Sequence, residues 1–481
     1  MKKKDIYEGT VSKTIYPCTG IIPADDVQIA VKGAIRGQKV RFAITKLRNE
    51  KREGRLLSVI QKADDEIESD CPHFADCGGC CYRTLPYDAQ LALKEAQVKE
   101  LLDRAISGSS CGREEEPYVF EGILPSPQAE GYRNKMEFTF GDEYKDGPLS
   151  LGLHRRNSFH DIVPVAQCRI VDSDYRKILA CTLDYFKTTG LPYFHRMKHT
   201  GYLRHLLIRK GSMSGDILID LVTTSEEDAD DVPWVSRLFE LDLDGEITGI
   251  LHTYNNSTSD DIRDEGTKIL YGKDFFQENL LDLNFLITPF SFFQTNSHGA
   301  EVLYSKIREY IGDTRDKTIF DLYCGTGTIA QILAPVARKV IGIEIVEEAA
   351  AAARVNAAMN GLSNCTFLTG DVQKVLETLD ERPDMIVLDP PREGIHPKTL
   401  TRIIAYGVPQ MIYVSCKPTS LARDLAVLLE HGYRMVKACA VDMFPGAAHV
   451  EACCLLAKAS VAKTELRAAA VPASEARAEL P

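Results

Sequence analysis

The sequence predicts an α/β protein with a doubly wound parallel sheet near its C-terminus, a small β-barrel at its N-terminus and a strand-rich region between them. Strands and helices alternate from Lys317 onward, which is typical of a parallel sheet with crossover helices. The strands are predicted at 317–322, 338–343, 384–388 and 410–414. Residues 5 to about 62 alternate apolar and polar positions in short runs broken by glycine and proline, which favours an antiparallel barrel.

The length of the chain predicts several domains. At 481 residues it exceeds what one hydrophobic core usually organises. We place the barrel at 1–62, the central region at 63–310 and the doubly wound domain at 311–458, and we expect a helix at about 87–105 to pack on the last of these. The segment 459–481 is rich in Ala and Glu without a sustained apolar face, so we expect it to be disordered or a frayed helix.

The composition is that of an ordinary soluble globular protein, with 44% hydrophobic and 26% charged residues. The basic start of the chain has no apolar run behind it, and no segment is long and apolar enough to cross a membrane, so we expect neither a signal peptide nor a membrane span. The 14 cysteines then indicate a reducing compartment, where thiols act as ligands or nucleophiles. We therefore expect a cytoplasmic protein.

The net charge of −12 is unevenly distributed. Residues 1–62 contain 14 Lys or Arg and 6 Asp or Glu, a net +8, so the rest of the chain carries −20. An acidic body with a basic N-terminal module suits an enzyme that holds a polyanion such as a nucleic acid at one end. The alternative is a solvated basic face on a small barrel.

Three short motifs follow predicted strands and meet at the ligand edge of an open parallel sheet. They are 321–328 (DLYCGTGT), 389–394 (DPPREG) and 414–418 (VSCKP). The glycines of the first allow the backbone to approach a ligand closely, and the helix that begins near Thr328 directs its amides there. Together they indicate a methyl-donor site that faces a cysteine nucleophile.

Glu344 ends the strand after the glycine loop, where a carboxylate can hold both ribose hydroxyls of a dinucleotide or of S-adenosylmethionine. A Rossmann dehydrogenase is therefore the alternative interpretation. Against it, the loop lacks the third glycine of the dinucleotide fingerprint. In addition, Gly370 and Asp371 end the following strand, where an adenine ring would lie.

Cys416 is the candidate nucleophile. A thiolate is a strong nucleophile that can form a covalent bond with a substrate. Lys417 and a helix starting near Pro418 follow directly, and we expect both to lower the pKa of the thiol. The alternative is a buried structural cysteine.

Cys71, Cys77 and Cys80 have the spacing C-x5-C-x2-C, and Cys168 lies far along the chain. Four thiolates suit either an iron–sulfur cluster or a tetrahedral zinc ion. The spacing does not choose between them.

With these motifs in this order, residues 5–457 resemble the RNA uracil-5 methyltransferase family, in particular the branch with an N-terminal TRAM domain that modifies ribosomal RNA. The resemblance implies a class I (Rossmann-like) methyltransferase domain and an OB-like barrel that binds RNA. It also implies that Cys71, Cys77, Cys80 and Cys168 hold a [4Fe-4S] cluster, with Cys81 as a neighbour outside the ligand set.

The resemblance also implies the cofactor residues. Five side chains would surround S-adenosylmethionine, and a sixth, from the segment SFFQTN at 291–296, would close the site. The six are Tyr323, Thr328, Glu344, Asp371, Asp389 and Gln294.

The family's Ser-Cys-Asn-Pro pattern makes Cys416 the nucleophile, although Lys417 stands here in place of the Asn. The resemblance implies that its thiolate adds to carbon 6 of uracil, because carbon 5 is methylated only after that addition. The base that removes the carbon 5 proton would be Glu451, in the segment MFPGAAHVE at 443–451, with His449 as its rival.

The sequence thus predicts an enzyme that forms 5-methyluridine in 23S ribosomal RNA through a Cys416 adduct, acting as a monomer. A tRNA uracil-5 methyltransferase is the first alternative. The barrel and the cysteines favour ribosomal RNA, because the bacterial tRNA enzymes of the family typically lack both. A non-catalytic RNA-binding iron–sulfur redox sensor is the second alternative.

Overall fold

The computed structural model describes residues 3–24, 27–48, 51–108, 117–158, 160–227, 229–259 and 261–458. The predicted disordered tail, 459–481, lies outside these residues. Two compact units divide the chain. The first lies within Met1–Gln97, Pro125–Val302 and Asp442–His449, and the second within Val98–Leu124, Leu303–Val441 and Val450–Pro481.

The N-terminal sheet of the first unit has six strands in the order β1-β5-β6-β4-β3-β2. They are β1 (Ile6–Thr10), β2 (Lys13–Ile15), β3 (Thr19–Ala24), β4 (Val27–Lys32), β5 (Lys39–Arg48) and β6 (Lys51–Gln61). The sheet packs Ile29, Val31 and Phe42 into its own small core. The pairing of β4 with β6 is parallel, which corrects the expectation of a wholly antiparallel barrel. A parallel pair needs a longer connection, and β5 provides it.

The central part of the first unit is a seven-stranded sheet in the order β10-β9-β8-β11-β12-β13-β14, with a separate hairpin, β15 and β16. Its strands are β8 (Lys135–Asp142), β9 (Leu149–His154), β10 (Ile162–Pro164), β11 (Leu203–Lys210), β12 (Asp216–Thr223), β13 (Glu246–Tyr254) and β14 (Thr267–Gly272); the hairpin is Phe276–Leu280 and Leu283–Ile287. Helices α2 (Ser173–Thr189) and α3 (Val232–Phe239) contribute Phe186 and Trp234 to the core that covers this sheet.

The second unit is built on an eight-stranded sheet in the order β19-β18-β17-β20-β21-β23-β22-β7. The strands are β7 (Val119–Leu124), β17 (Thr314–Leu322), β18 (Ala337–Glu344), β19 (Cys365–Thr369), β20 (Met385–Leu388), β21 (Gln410–Ser415), β22 (Tyr433–Val441) and β23 (Glu451–Lys458). β17 to β21 are mutually parallel, and β23 runs antiparallel between β21 and β22. The doubly wound domain and the N-terminal barrel-like sheet confirm the predicted fold class.

The remaining helices are α1 (Tyr87–Gly108), α4 (Ser297–Ile311), α5 (Thr328–Leu333), α6 (Glu347–Met359), α7 (Val372–Thr378), α8 (Pro397–Tyr406) and α9 (Pro418–Glu430). The boundary between the units falls within α1 and within α4. Pro397 and Pro418 each open a helix, where their missing N–H groups cost no hydrogen bond. Within the described ranges, no helix has the length and apolar character needed to span a bilayer.

Candidate active site and cysteine cluster

The carboxyl ends of the central parallel strands carry the predicted site. β17 pairs with β18 on one side and with β20 on the other, so the chain order reverses between them. Loops that leave strands at such a reversal form the usual ligand crevice of an open α/β sheet. Glu344 ends β18, Asp389 follows β20, and Cys416 follows β21. The sheet therefore brings these three residues to one edge.

The glycine loop after β17 has an unusual backbone. Tyr323 has φ of +67°, and Gly325 and Gly327 have φ of +53° and +72°. The left-handed region is costly for a tyrosine, and such strain is concentrated at functional sites. The N–H groups of Tyr323 and Cys324 both donate to the carbonyl of Ile343, which anchors the loop to β18.

Glu344 is held rigidly beside this loop. Its Oε2 accepts a hydrogen bond from the N–H of Gly325 at 2.9 Å, and its Oε1 accepts one from Val346 at 2.9 Å. Each oxygen retains a lone pair for a ligand hydroxyl. Asp371 caps α7, with its Oδ1 accepting the N–H of Lys374 at 3.2 Å.

Asp321 is a buried acid to which the sequence analysis gave no role. It lies at the end of β17, and its Oδ2 accepts the N–H of Ala330 in α5 at 2.9 Å, while its Oδ1 has no partner. Burial and the negative charges of Asp389 and Glu344 raise its pKa well above the usual range. The short helix that begins at Thr328 therefore directs one of its amides to a side chain of the protein.

Cys416 and Glu451 lie opposite each other at the end of an antiparallel pair. The ladder between β21 and β23 ends with Ser415 opposite Ala452, so the next step places Cys416 opposite Glu451. Glu451 is 2% exposed, and its Oε2 has no hydrogen-bond partner. Strand register thus brings together the predicted nucleophile and the predicted base.

The carboxyl groups of Glu451 and Asp389 both have raised pKa values. Burial, together with the charge of Asp389, raises the pKa of Glu451 to about 8. Burial raises the pKa of Asp389 to about 7. Two acids with raised pKa values beside a thiol are typical of an active site.

The expectation that the pKa of Cys416 is lowered was wrong. Burial, and then the charges of Glu451 and Asp389, raise the pKa of the thiol to about 11. Lys417, which the sequence placed as a lowering charge, is exposed. The nearby carboxylates and desolvation therefore outweigh the lysine and the start of α9.

Arg392 is the group that opposes this rise, and the sequence analysis gave it no role. Its side chain donates a hydrogen bond to Cys416, and its charge lowers the pKa values of both Cys416 and Glu451. The sequence could have indicated this role, because in the motif 389–394 an arginine follows two prolines in a loop at the ligand edge of the sheet.

The loop that carries Arg392 is fixed by α9. Ser420 Oγ donates to the carbonyl of Arg392 at 2.7 Å, and Asp424 Oδ2 accepts the N–H of Ile395 at 2.7 Å. Gly394 has φ of +79°, and a Cβ there would meet Arg423 Nη2 at 2.4 Å and Asp424 Oδ2 at 2.6 Å. A glycine is therefore required for the loop to lie against the helix.

Two predicted residues, Gln294 and His449, belong to the first unit. Gln294 is buried, and its backbone carbonyl accepts a hydrogen bond from Asn134 Nδ2 at 2.9 Å. The ring of His449 stands edge-on to Phe444, with 6.2 Å between the ring centroids. The contact of Gln294 with the methyl donor stays a prediction.

The four predicted cluster ligands, Cys71, Cys77, Cys80 and Cys168, line one cleft in the first unit. Arg156 fixes the loop that carries the first three, because its Nη2 donates to the carbonyls of Phe74, Cys77 and Cys80 at 3.0, 3.1 and 2.8 Å. Within the described part of the chain, no three His, Cys, Asp or Glu side chains converge closely enough to ligate a single metal ion.

The sulfurs of this cleft also accept backbone hydrogen bonds. The N–H of Gly79 donates to Cys77 Sγ at 3.4 Å, and the N–H groups of Ile170 and Val171 donate to the sulfur of Cys168. Hydrogen bonds of this kind to cysteine sulfur accompany iron–sulfur ligation.

Known proteins resemble both the sequence and the fold. Residues 261–459 match the family model described as tRNA (uracil-5-)-methyltransferase. An RNA methyltransferase of Clostridium tetani is 45% identical over 452 residues, which cover 94% of this chain and 97% of that protein. One from Caldanaerobacter subterraneus is 45% identical over 460 residues and matches over its whole length. The chain belongs to the RNA uracil-5 methyltransferase family.

A solved structure extends the likeness to the whole fold of this methyltransferase. The tRNA (uracil-54, C5)-methyltransferase of Pyrococcus abyssi, in complex with S-adenosyl-L-homocysteine, superposes with a TM-score of 0.73 and 26% identity, covering 93% of this chain and 99% of that one. The predicted family and fold are thereby confirmed. As a member of this family, the enzyme is an S-adenosylmethionine-dependent RNA methyltransferase.

Proposed function

We propose that this methyltransferase forms 5-methyluridine in 23S ribosomal RNA through a covalent bond between Cys416 and carbon 6 of the target uridine. The observation that carries the proposal is the opposition of Cys416 and Glu451 at the end of β21 and β23, beside Asp389 and Arg392. The nucleophile and the base differ in pKa and lie at the same edge of the sheet. This arrangement suits a reaction in which a thiol adds to the uridine and is later eliminated.

In the addition step, the sulfur of Cys416 bonds to carbon 6 and the electron pair of the double bond shifts towards carbon 5. The thiol is protonated in neutral solution because its pKa is about 11. Its proton must therefore leave to water as the sulfur attacks. Arg392, hydrogen bonded to the sulfur, stabilises the negative charge that develops there.

In the elimination step, Glu451 removes the proton from methylated carbon 5. The electron pair of that C–H bond restores the double bond and expels the sulfur of Cys416. Glu451 acts only as a carboxylate, and its pKa of about 8 means that it must first lose a proton near neutral pH. Its unpaired Oε2 is free to receive the proton from the substrate.

S-adenosylmethionine, when bound, supplies the electrophilic methyl group. The loop at 323–327 and the two fixed oxygens of Glu344 fit its ribose, and Asp371 lies at the end of the next strand, where we place the adenine. We propose that Tyr323, Thr328, Asp389 and Gln294 complete this site.

The choice of RNA rests on the domains outside the catalytic sheet. The resemblance to the TRAM-containing branch supports 23S ribosomal RNA. The Pyrococcus abyssi structure favours a second candidate, tRNA, because a tRNA enzyme there matches nearly the full length of this chain. The presence of an N-terminal barrel therefore does not by itself separate the two substrates.

We propose that the barrel at 1–62 holds RNA through its phosphates. Lys32 and Arg55 are exposed and lie opposite each other in the β4–β6 pair. Paired cations on a strand surface contact phosphate without reading sequence. We expect the enzyme to act in the cytoplasm as a monomer.

We propose a [4Fe-4S] cluster for the cysteine cleft. The four thiols that line one cleft are the ligand set that such a cluster takes. The N–H groups directed at Cys77 and Cys168 support the same assignment. The cluster would clamp the loop at 71–80 to the central sheet.

The test is methylation of purified 23S ribosomal RNA and of tRNA by the whole protein with a labelled methyl donor. We expect label in 5-methyluridine of 23S RNA, and none with Cys416→Ala. Label in tRNA alone would assign the second candidate. Absence of transfer to either RNA would contradict the enzymatic proposal and favour a non-catalytic RNA-binding redox sensor.

A further inference from the structure

A cavity of about 320 Å³ lies in the first unit, apart from the residues assigned so far. It opens between strands β8 to β11 and the segment at 193–197. Its volume lies within the range of ordinary small-ligand pockets. Four histidines line it, and within the described ranges no three His, Cys, Asp or Glu side chains converge as metal ligands.

The wall of the cavity carries fixed aromatic rings. Phe194 is covered by the guanidinium of Arg204, at 4.2 Å from its ring centroid. Arg204 is locked there, because it donates to the carbonyls of Asn255, Ser257 and Ser259 at 2.8, 2.6 and 2.6 Å. The guanidinium of Arg204 is therefore engaged with groups of the protein rather than with a ligand. Together, Arg204 and Phe194 form a rigid part of the cavity wall.

Tyr193 and His195 present a second pair of rings. Their planes lie 20° from parallel with centroids 6.4 Å apart, as expected for alternate residues of an extended segment that point to one side. The hydroxyl of Tyr193 donates to Asp142, which orients the phenol and occupies that carboxylate within the protein. His195 Nδ1 is buried without a hydrogen-bond partner.

A basic turn borders the cavity. The N–H of His195 donates to the carbonyl of Thr200 at 2.7 Å, so residues 196–199 form a loop, in which 197–199 are exposed and Arg196 is half-buried. Arg196 and Met197 line the cavity, Met197 is 73% exposed, and Lys198 is exposed beside them. Cations at the rim with planar rings behind them are the chemistry that holds single-stranded nucleic acid.

We propose that this cavity binds one unpaired nucleotide of the RNA substrate, distinct from the target uridine, with its base against Tyr193 and His195 and its phosphate at the basic turn. Burial lowers the pKa of His205 to about 4, so this lining imidazole is neutral and acts as a hydrogen-bonding group rather than a charge. The pocket would select RNA in which a single-stranded nucleotide lies at a fixed distance from the methylated position. The inference rests on the proposed function insofar as its ligand is RNA.

The first experiment is photo-crosslinking of the whole protein to single-stranded RNA that contains 4-thiouridine, followed by mass spectrometry of the crosslinked peptide. We expect crosslinks within residues 193–205. Crosslinks confined to other segments would overturn the proposal. Cys416→Ala should retain these crosslinks, so a protein that crosslinks here and transfers no methyl group contradicts only the proposed function.

The second experiment measures the affinity for a short RNA carrying 2-aminopurine, whose fluorescence falls when the base stacks. His195→Ala should weaken binding about tenfold and reduce the quenching, as loss of one stacking ring would. His195→Phe keeps a ring and should restore both, which separates stacking from misfolding. Lys187→Ala, an exposed cation at the end of α2, should change neither.

The third experiment distinguishes a nucleotide site from a simple anion site. The monophosphate of 2-aminopurine riboside should displace the RNA from this pocket far better than inorganic phosphate does. Equal competition by inorganic phosphate would overturn the stacking of a base. A protein that methylates RNA normally with His195→Ala, at unchanged KM, would also overturn it.

Discussion

Replacing Glu451 by glutamine should change how the stability of the enzyme depends on pH. Glu451 is buried, and its pKa of about 8 in the folded protein is raised from an ordinary 4.5. At pH values below 4.5 the residue is protonated in both the folded and the unfolded state, so it does not lower the free energy of unfolding. As the pH rises from there towards 8, the unfolded chain ionises while the folded protein does not, so the native state loses stability.

The size of this loss follows from the two pKa values. Between pH 5 and pH 7 it amounts to about 2.5 kcal/mol of unfolding free energy, at about 1.4 kcal/mol per pH unit near the upper end. Glutamine does not titrate, so Glu451→Gln removes this slope. The quantity to compare is the melting temperature of the variant minus that of the natural protein. For a unit of roughly 200 residues, this difference should be about 5–10 °C larger at pH 7 than at pH 5.

Calorimetry of the two proteins at pH 5, 6 and 7, without cofactor, measures this difference. Asp389 also titrates with a raised pKa, but it does so in both proteins, so the comparison isolates Glu451. Glu430→Gln, an exposed glutamate at the end of α9, is the matched control and should give a difference that does not vary with pH. A pH-independent difference for Glu451→Gln as well would refute the burial of a protonated carboxyl at this position.

Three other groups of residues lead to further predictions. Arg392→Ala should slow methylation at neutral pH and move the rising limb of its pH–rate profile, which reports ionisation of the Cys416 thiol, to higher pH, because the sulfur loses a hydrogen bond and a nearby positive charge; an unmoved profile would count against that contact. Lys32→Gln combined with Arg55→Gln should weaken RNA binding and reduce the slope of log affinity against log salt by about 2, with cofactor binding unchanged. Anaerobically purified protein should be brown and should lose its iron with Cys168→Ser; one equivalent of zinc without iron would refute the cluster.

The fold of the catalytic unit was largely predictable from the sequence. The strands β17, β18, β20 and β21 are short apolar runs at regular spacing, and all four lie where the sequence placed them, to within three residues at either end. Buried parallel strands produce such runs because both of their faces are covered. In contrast, β7 was assigned to the central region, yet it pairs with β22 at the edge of the catalytic sheet. Nothing in a six-residue run specifies a partner more than 300 residues away.

The chemistry of the site was less predictable than its residues. The sequence placed Cys416 beside Lys417, and proximity along the chain suggested a lowered pKa. The pKa is instead raised by burial first, and then by Glu451 and Asp389, which approach from other strands. Arg392 was visible in its motif, but its hydrogen bond to the thiol depends on how the loop lies against α9. The effect of one charge on the pKa of a group far away along the chain can be worked out only from the folded structure.

The most direct test of the proposed mechanism is a denaturing gel of Glu451→Gln incubated with substrate RNA and a donor labelled in its methyl group. Attack by Cys416 and methyl transfer should both proceed, but the carbon 5 proton should remain, so a labelled covalent protein–RNA complex should accumulate. Cys416→Ala should give no complex. If Glu451→Gln turns over normally and His449→Ala traps the labelled complex, Glu451 is not the base, and the proposed mechanism is contradicted.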